Sequence, residues 1–415
     1  MVEQRPRIPL SVLALLGIYF LSTLAVVGQV TIVGKQVFDL TGRELDLGLL
    51  GLAEFLPTAL LSPITGSLAD RYDRRHILAI GLLGEAAASV LLFLYARTDP
   101  TAVLPIFGIV ALFGVARAFV APSLRALPVD LAPPLIVERV VALVAVSWQT
   151  GAIVGPVVFG FAYVAGISLP YLIAAVAFLG GLVLLALVPA PRLERSTAAP
   201  GVGAAVRHAS EGLRFIRRTP IVFGAVSLDL FAVLFGGAVA LLPAIAEERL
   251  GVGAVGLGWL RAAIGIGAAS TGLLLTIRPI ARRVGRVLLV SVGVFGVATI
   301  VLGVTRSYWV AVVALLVLAG ADAVSVYIRA TLVPLATPES MRGRVLAVEN
   351  VFIGASNELG AFESGVAGHL LGLVGAVVSG GIGTLAVVGV WWKLFPALRD
   401  VDRFAEVRPA ATPPR

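Results

Sequence analysis

Gly66-Ser-Leu-Ala-Asp70-Arg71-Tyr-Asp73-Arg74-Arg75-His-Ile-Leu78 stands between two long apolar runs, and its reading decides the fold. Hydrocarbon cannot solvate so dense a cluster of Asp and Arg, so the stretch lies at a water interface between two membrane helices. A plain solvated turn accounts for the arginines, but not for Gly66 and Asp70 at their places.

Composition agrees with a membrane protein. Hydrophobic residues make up 59% of the 415 and charged residues 13%, with a mean hydropathy of +1.00. Soluble domains carry about 25% charged residues. A chain of this length supplies about twelve spans of roughly 20 residues. There is no cysteine and there are three His, so neither a disulfide framework nor a Cys or His metal site is expected. The net charge of +8 is spread over loops without an aromatic-interleaved basic domain, which excludes a nucleic-acid partner. Nothing resembles a nucleophile–base set or a phosphate-binding loop, so an enzyme is not expected.

The spacing predicts spans over 8–34, 47–69, 77–95, 102–124, 140–167 and 171–188, then 221–245, 255–277, 287–304, 308–328, 345–366 and 372–394. The first is too long for a signal-peptide core and is read as an uncleaved helix. The expected organisation is an N-terminal bundle over 1–189, a linker over 190–220, a C-terminal bundle over 221–396 and a tail over 397–415. In the linker, Val206, Leu213 and Ile216 alternate with arginines, which predicts an amphipathic helix lying on the bilayer surface.

With the N-terminus inside, Lys35, Arg43, Arg97, Arg249 and Arg306 fall outside, and Arg117 and Arg261 fall within spans. Every other one of the 32 basic residues falls inside, which predicts cytoplasmic termini and an even number of spans. An internal repeat predicts two halves. Arg139-Val-Val-Ala leads to Gly155 and Gly160, and Arg344-Val-Leu-Ala leads to Gly360 and Gly365 at the same spacing. Gly and Ala are common in membrane helices, so chance matching is the competing explanation.

The Gly66–Leu78 stretch resembles the cytoplasmic loop signature of the major facilitator superfamily. The resemblance implies an all-α integral membrane protein, with twelve transmembrane helices in two pseudo-symmetric six-helix bundles. It implies that Asp70, with Gly66, Arg71, Arg74 and Arg75, forms a cytoplasmic gate that latches the halves in the outward-facing state. Asp73 departs from the pattern, which has Gly there, and an extra acid can bind Arg71 or Arg75. Gly151-Ala-Ile-Val-Gly155-Pro156-Val-Val-Phe-Gly160 resembles the glycine-rich antiporter motif of drug and metabolite exporters. The alternative is an ordinary small-residue packing seam. Arg117 matches in part an arginine associated in this family with proton exchange. Otherwise it is a structural arginine paired with a carboxylate. The run Asn357–Gly365, with Gly28-Gln29-Val30, resembles the enterobactin-exporter-like branch of bacterial exporters.

Acids within spans are costly and must pair, face the bundle or take a proton. Glu85, near midspan, is the first choice for proton coupling, followed by Asp322, Asp229 and Glu358, with Glu54 in reserve. A static salt bridge with Arg117 or Arg261 is the alternative for each. Asp322 and Arg329 share a helix face. Gln29, Asn350 and Asn357 are the polar cavity candidates.

Together these features predict a monomeric, multi-pass carrier of the bacterial inner membrane that works by alternating access. It would export a small amphipathic or siderophore-like molecule in exchange for protons, with no cofactor and only substrate and lipid as partners. An importer or uniporter of a small solute is the first alternative, and a non-transporting sensor the second.

Overall fold

Backbone polar groups inside a bilayer must be satisfied within their own segment, which leaves the helix as the element for a chain of this pattern. The computed structural model describes residues 8–189 and 202–409, and among them the regular structure is entirely helical. The first helices are α1 (Leu10–Thr41), α2 (Glu44–Arg71), α3 (Arg74–Ala96), α4 (Leu104–Leu131), α5 (Val137–Ala165) and α6 (Leu169–Leu185). There follow α7 (Val202–Arg218), α8 (Pro220–Phe235), α9 (Gly253–Ile277), α10 (Val284–Val304), α11 (Tyr308–Ala336), α12 (Glu339–Leu394) and α13 (Pro396–Arg399). Short turns prolong α8 into one apolar run, Pro220–Arg249.

Ten of these segments are long and apolar enough to cross a membrane. One of them, α12, has 56 residues, far beyond the roughly 20 that a crossing needs. It breaks at Gly372, whose φ of 72° is left-handed and suits glycine. It is thus two helices, an arm over 339–371 and an arm over 373–394. With α6, apolar over 17 residues, the described residues hold the twelve expected membrane helices.

The chain forms two compact units. The first is Met1–Gly42, Leu52–Ala199 and Val252–Ala262, and the second is Arg43–Gly51, Pro200–Gly251 and Ala263–Arg415. Two short segments, Arg43–Gly51 and Val252–Ala262, group out of chain order. Glycines mark where these segments lie closely against their units. At Gly160 an added Cβ would lie 2.6 Å from the Ala254 carbonyl, and at Gly258 2.4 Å from that of Pro156. In the second unit, one at Gly365 would lie 2.9 Å from the Gly48 Cα. The repeat spacing recurs in these contacts. An added Cβ would lie 2.5 Å from the Leu24 carbonyl of α1 at Gly155 and 2.6 Å from the Val233 carbonyl of α8 at Gly360.

The first span runs on past Gly34 to Thr41. Lys35, beyond the end expected for that span, is 5% exposed within the helix and ion-paired with Asp39, so burial is sustained by a partner one turn away. One expectation needs correction: α7 does not lay its apolar side on the bilayer. Phe215 and Ile216 are buried in the core of the second unit, and Glu211 binds Arg344 at 2.6 Å. A protein surface serves an apolar stripe as well as lipid does. The side chain of Val206 lies outside the described residues. The tail is folded over its first part. Leu398 is fully buried, and Val401 accepts from the Gly285 N–H at 3.0 Å.

Candidate functional site

The first unit gathers charge around Arg117 on α4. Its Nε is 3.8 Å from Glu54 Oε1 on α2, and its Nη1 is 3.9 Å from Glu85 Oε1 on α3. Close backbones make this possible. Gly114 sits where a Cβ would be 2.1 Å from the Glu54 carbonyl, and the Thr58 hydroxyl donates to the Gly114 carbonyl at 2.7 Å. Arg261 lies within electrostatic reach of Glu54. Glu85 is fully buried, and neither of its carboxyl oxygens has a hydrogen-bond partner. One turn on, the Ser89 hydroxyl lies 2.7 Å from Gln29 Oε1 and 2.8 Å from the Glu85 carbonyl, and its single proton serves one at a time. Gln29 itself is 2% exposed. The sequence candidates Gln29, Glu54, Glu85 and Arg117 thus stand together.

The second unit has its own cluster. Arg329 Nη2 binds Asp229 Oδ1 at 2.6 Å, and its Nε donates to the Ser325 hydroxyl at 3.3 Å. Both ionic side chains are under a tenth exposed. Asp322 and Glu349 lie within electrostatic reach of Arg329, and a small cleft is lined by Asp229, Asp322, Ser325 and Phe295. The face shared by Asp322 and Arg329 is real, but the close ion pair of Arg329 is with Asp229.

The remaining candidates disperse. Glu358 lies beside Gly51, where an added Cβ would be 3.0 Å from its Oε2. The amides of Asn350 and Asn357 donate to carbonyls of their own helix, Leu346 at 2.9 Å and Ile353 at 2.8 Å. Both are exposed.

At the decisive loop, Asp73 caps α3 by accepting from the Arg75 N–H at 2.9 Å. Burial pushes the Asp73 carboxyl up, but hydrogen bonds from the Arg75 side chain and N–H outweigh it and hold the carboxyl below its ordinary value. Arg75 also donates to the Val188 carbonyl at 2.9 Å, and Arg74 binds Asp130 at the end of α4. These two arginines therefore tie helix ends within the first unit. The side chains of Asp70 and Arg71 lie outside the described residues. An added Cβ at Gly66 would meet nothing within 4 Å.

In the fifth helix, Gly151 and Gly155 both press on α1. A Cβ would lie 2.8 Å from the Phe20 carbonyl at the first and 2.5 Å from the Leu24 carbonyl at the second. Pro156 lies inside the helix, and Gly160 faces Ala254. At Gly28 an added Cβ would in turn lie 2.5 Å from the Phe159 ring.

One cluster escaped the sequence reading. Lys35 pairs with Asp39, which accepts from the Tyr163 hydroxyl at 3.0 Å, and Tyr171 bonds Gln36. The i,i+4 spacing of Lys35 and Asp39 was the available signal.

Long apolar helices, with buried charged groups within each unit, define a polytopic membrane protein. The chain belongs to the major facilitator superfamily, whose family model matches residues 12–361. It is 27% identical over 356 residues to the enterobactin exporter EntS of Shigella boydii, covering 84% of this chain and 82% of that one. The Escherichia coli EntS is also 27% identical, over 362 residues and the same shares. The uncharacterized transporter YfiS of Bacillus subtilis is 27% identical over 248 residues, and that match spans only 57% of each chain. Among solved structures, a bacterial homologue of the human lysosomal transporter Spinster superposes with a TM-score of 0.68 at 16% identity, over 95% of this chain and 97% of that one. A POT family transporter in complex with 5-aminolevulinic acid gives 0.74 at 11% identity, over 93% and 96%.

Proposed function

We propose that this protein is an exporter of the bacterial inner membrane that moves a small amphipathic or siderophore-like molecule outward in exchange for protons, by alternating access. Both termini are cytoplasmic on this reading, and the working form is a monomer without cofactor. Proton coupling rests above all on Glu85. Its carboxyl is fully buried, accepts no hydrogen bond and has one cation at ion-pair range. Such a group has two usable states. Protonated, it is a neutral group in an apolar place; ionised, it draws on Arg117. Moving between them while substrate binds elsewhere is the elementary act of antiport. Outward direction is supported by the extent of similarity to the enterobactin exporters and by the glycine seam between α1 and α5.

The reading is tested with proteoliposomes holding the protein in inverted orientation and an acidic lumen. Catecholate siderophores and amphipathic dyes are offered outside. A substrate should accumulate in the lumen and leak back when the gradient is collapsed. Uptake of a substrate at a rate indifferent to the gradient would overturn the antiport and favour a uniporter.

A further inference from the structure

We infer that the second unit carries a binding site for an anionic phospholipid, one acyl chain lying in a groove along α10 and the headgroup meeting Arg286 and Lys393. The groove has a volume of about 610 Å³ and runs along α10 between α11 and the second arm of α12. Its walls are apolar throughout, including Val290, Val297, Val313 and Trp392. Val290 and Val313 are each 56% exposed, so no described residue covers them. These positions lie on membrane-crossing helices, so the groove faces hydrocarbon, and its natural filling is a hydrocarbon chain.

The floor of the groove is what separates it from an ordinary lipid-facing surface. Four glycines occur in α10, and glycine inside a helix is unfavourable. Three have a packing reason: an added Cβ would lie 1.8 Å from the Leu398 carbonyl at Gly285, 3.1 Å from that of Gly381 at Gly296, and 2.9 Å from Val377 at Gly303. Gly293 has none; a Cβ there would meet nothing within 4 Å. It lines the groove, and its missing side chain deepens it.

Length and charge name the ligand. From Leu289 to Val301 the helix rises about 18 Å, close to half of the roughly 30 Å hydrocarbon core, which is the reach of one leaflet. At the Leu289 end stand Arg286, one turn earlier on α10, and Lys393, next to Trp392, both exposed. Arg399 also reaches this end, donating to the Trp392 carbonyl at 3.2 Å, but Asp400 holds its guanidinium at 2.8 and 2.9 Å. Asp400 lies within electrostatic reach of Arg286 as well. Arg286 and Lys393 are therefore the cations presented to a headgroup. Under the orientation proposed above this end is cytoplasmic, the side of anionic lipid. Only the choice of leaflet rests on that orientation.

The test uses the full chain in detergent, with native mass spectrometry of retained lipid and the fold followed by thermal unfolding. Phosphatidylglycerol and phosphatidylcholine with the same acyl chains are compared. The parent should retain phosphatidylglycerol at least tenfold better. The double change Arg286→Gln, Lys393→Gln should bring the two lipids level, and Gly293→Phe should lower retention of both. Should Gly293→Phe not fold, Val313→Phe fills the groove from the opposite wall and should act alike. Equal retention of both lipids by the parent, or unchanged retention in a folded groove-filling variant, overturns the site. Displacement of the lipid by inorganic phosphate overturns it too, since the groove would then add nothing. Failure of proton-driven transport leaves all these readings unchanged.

Discussion

Glu85 and Arg117 stand 3.9 Å apart, close enough to attract and too far to share a hydrogen bond. The same guanidinium stands 3.8 Å from Glu54, so one cation attends two acids from neighbouring helices.

Replacing Glu85 by Gln preserves volume and removes titration. Gradient-driven efflux from proteoliposomes should fall to the rate seen without a gradient, while substrate binding and exchange of labelled for unlabelled substrate persist. A variant as responsive to the gradient as the parent would make Glu85 a structural residue.

The Asp229–Arg329 pair is buried, so breaking it should cost roughly 3–5 kcal/mol, mostly from the charge left behind. Arg329→Met leaves Asp229, Asp322 and Glu349 without their common cation, whereas Asp229→Asn leaves Arg329 within reach of two acids. Thermal unfolding in detergent should therefore show the larger loss for Arg329→Met. The double variant should lose less than the sum of the singles. Strictly additive losses would mean that the pair is not coupled.

Asp73→Ala should destabilise the protein by about 0.5–2 kcal/mol through loss of the α3 cap. The folded carboxyl titrates below its ordinary value, so its contribution is complete above the unfolded value of about 4 and is lost as pH falls through the folded one. The melting-temperature difference between parent and variant should be flat from neutral pH to about 5 and shrink below about 4. A difference that grows on acidification would contradict the cap.

Topology can be read with single cysteines, because the chain has none. Tyr72, 64% exposed between α2 and α3, and Arg306, exposed between α10 and α11, lie in loops of opposite expected sidedness. A membrane-impermeant maleimide added to intact cells should label Arg306→Cys and spare Tyr72→Cys. The reverse pattern would invert the orientation.

Much of the fold was legible because hydrocarbon leaves few choices: long apolar runs must be helices, and dense charge must mark their ends. The glycine repeat was legible too, since close backbone approach leaves a small-residue trace. The first span was ended short of Lys35 because its partner Asp39 lies in what looked like a loop, and hydropathy does not register pairing. The seat of α7 was misjudged because amphipathicity reports that one face is apolar without saying what covers it. The partition of acids into clusters was out of reach for a different reason. Which of Asp229 and Asp322 meets Arg329 depends on helix rotation, which no spacing within one helix determines.

Asp402 accepts the N–H of Arg283 at 3.0 Å across 119 residues, while the carbonyls of Asp402 and Val401 take the next two N–H groups, Val284 and Gly285, at 3.2 and 3.0 Å. The opening turn of α10, which an ordinary helix leaves to water or to a neighbouring side chain, is thus finished by the stretch that follows α13. Time enters here. During synthesis α10 is made with that turn incomplete, and it stays so while α11 and both arms of α12 are translated and inserted. A ribosome that stops just before Asp402 releases a polypeptide with both arms of α12 present and α10 still unfinished, so the second unit matures only once the stretch beyond α13 has been made.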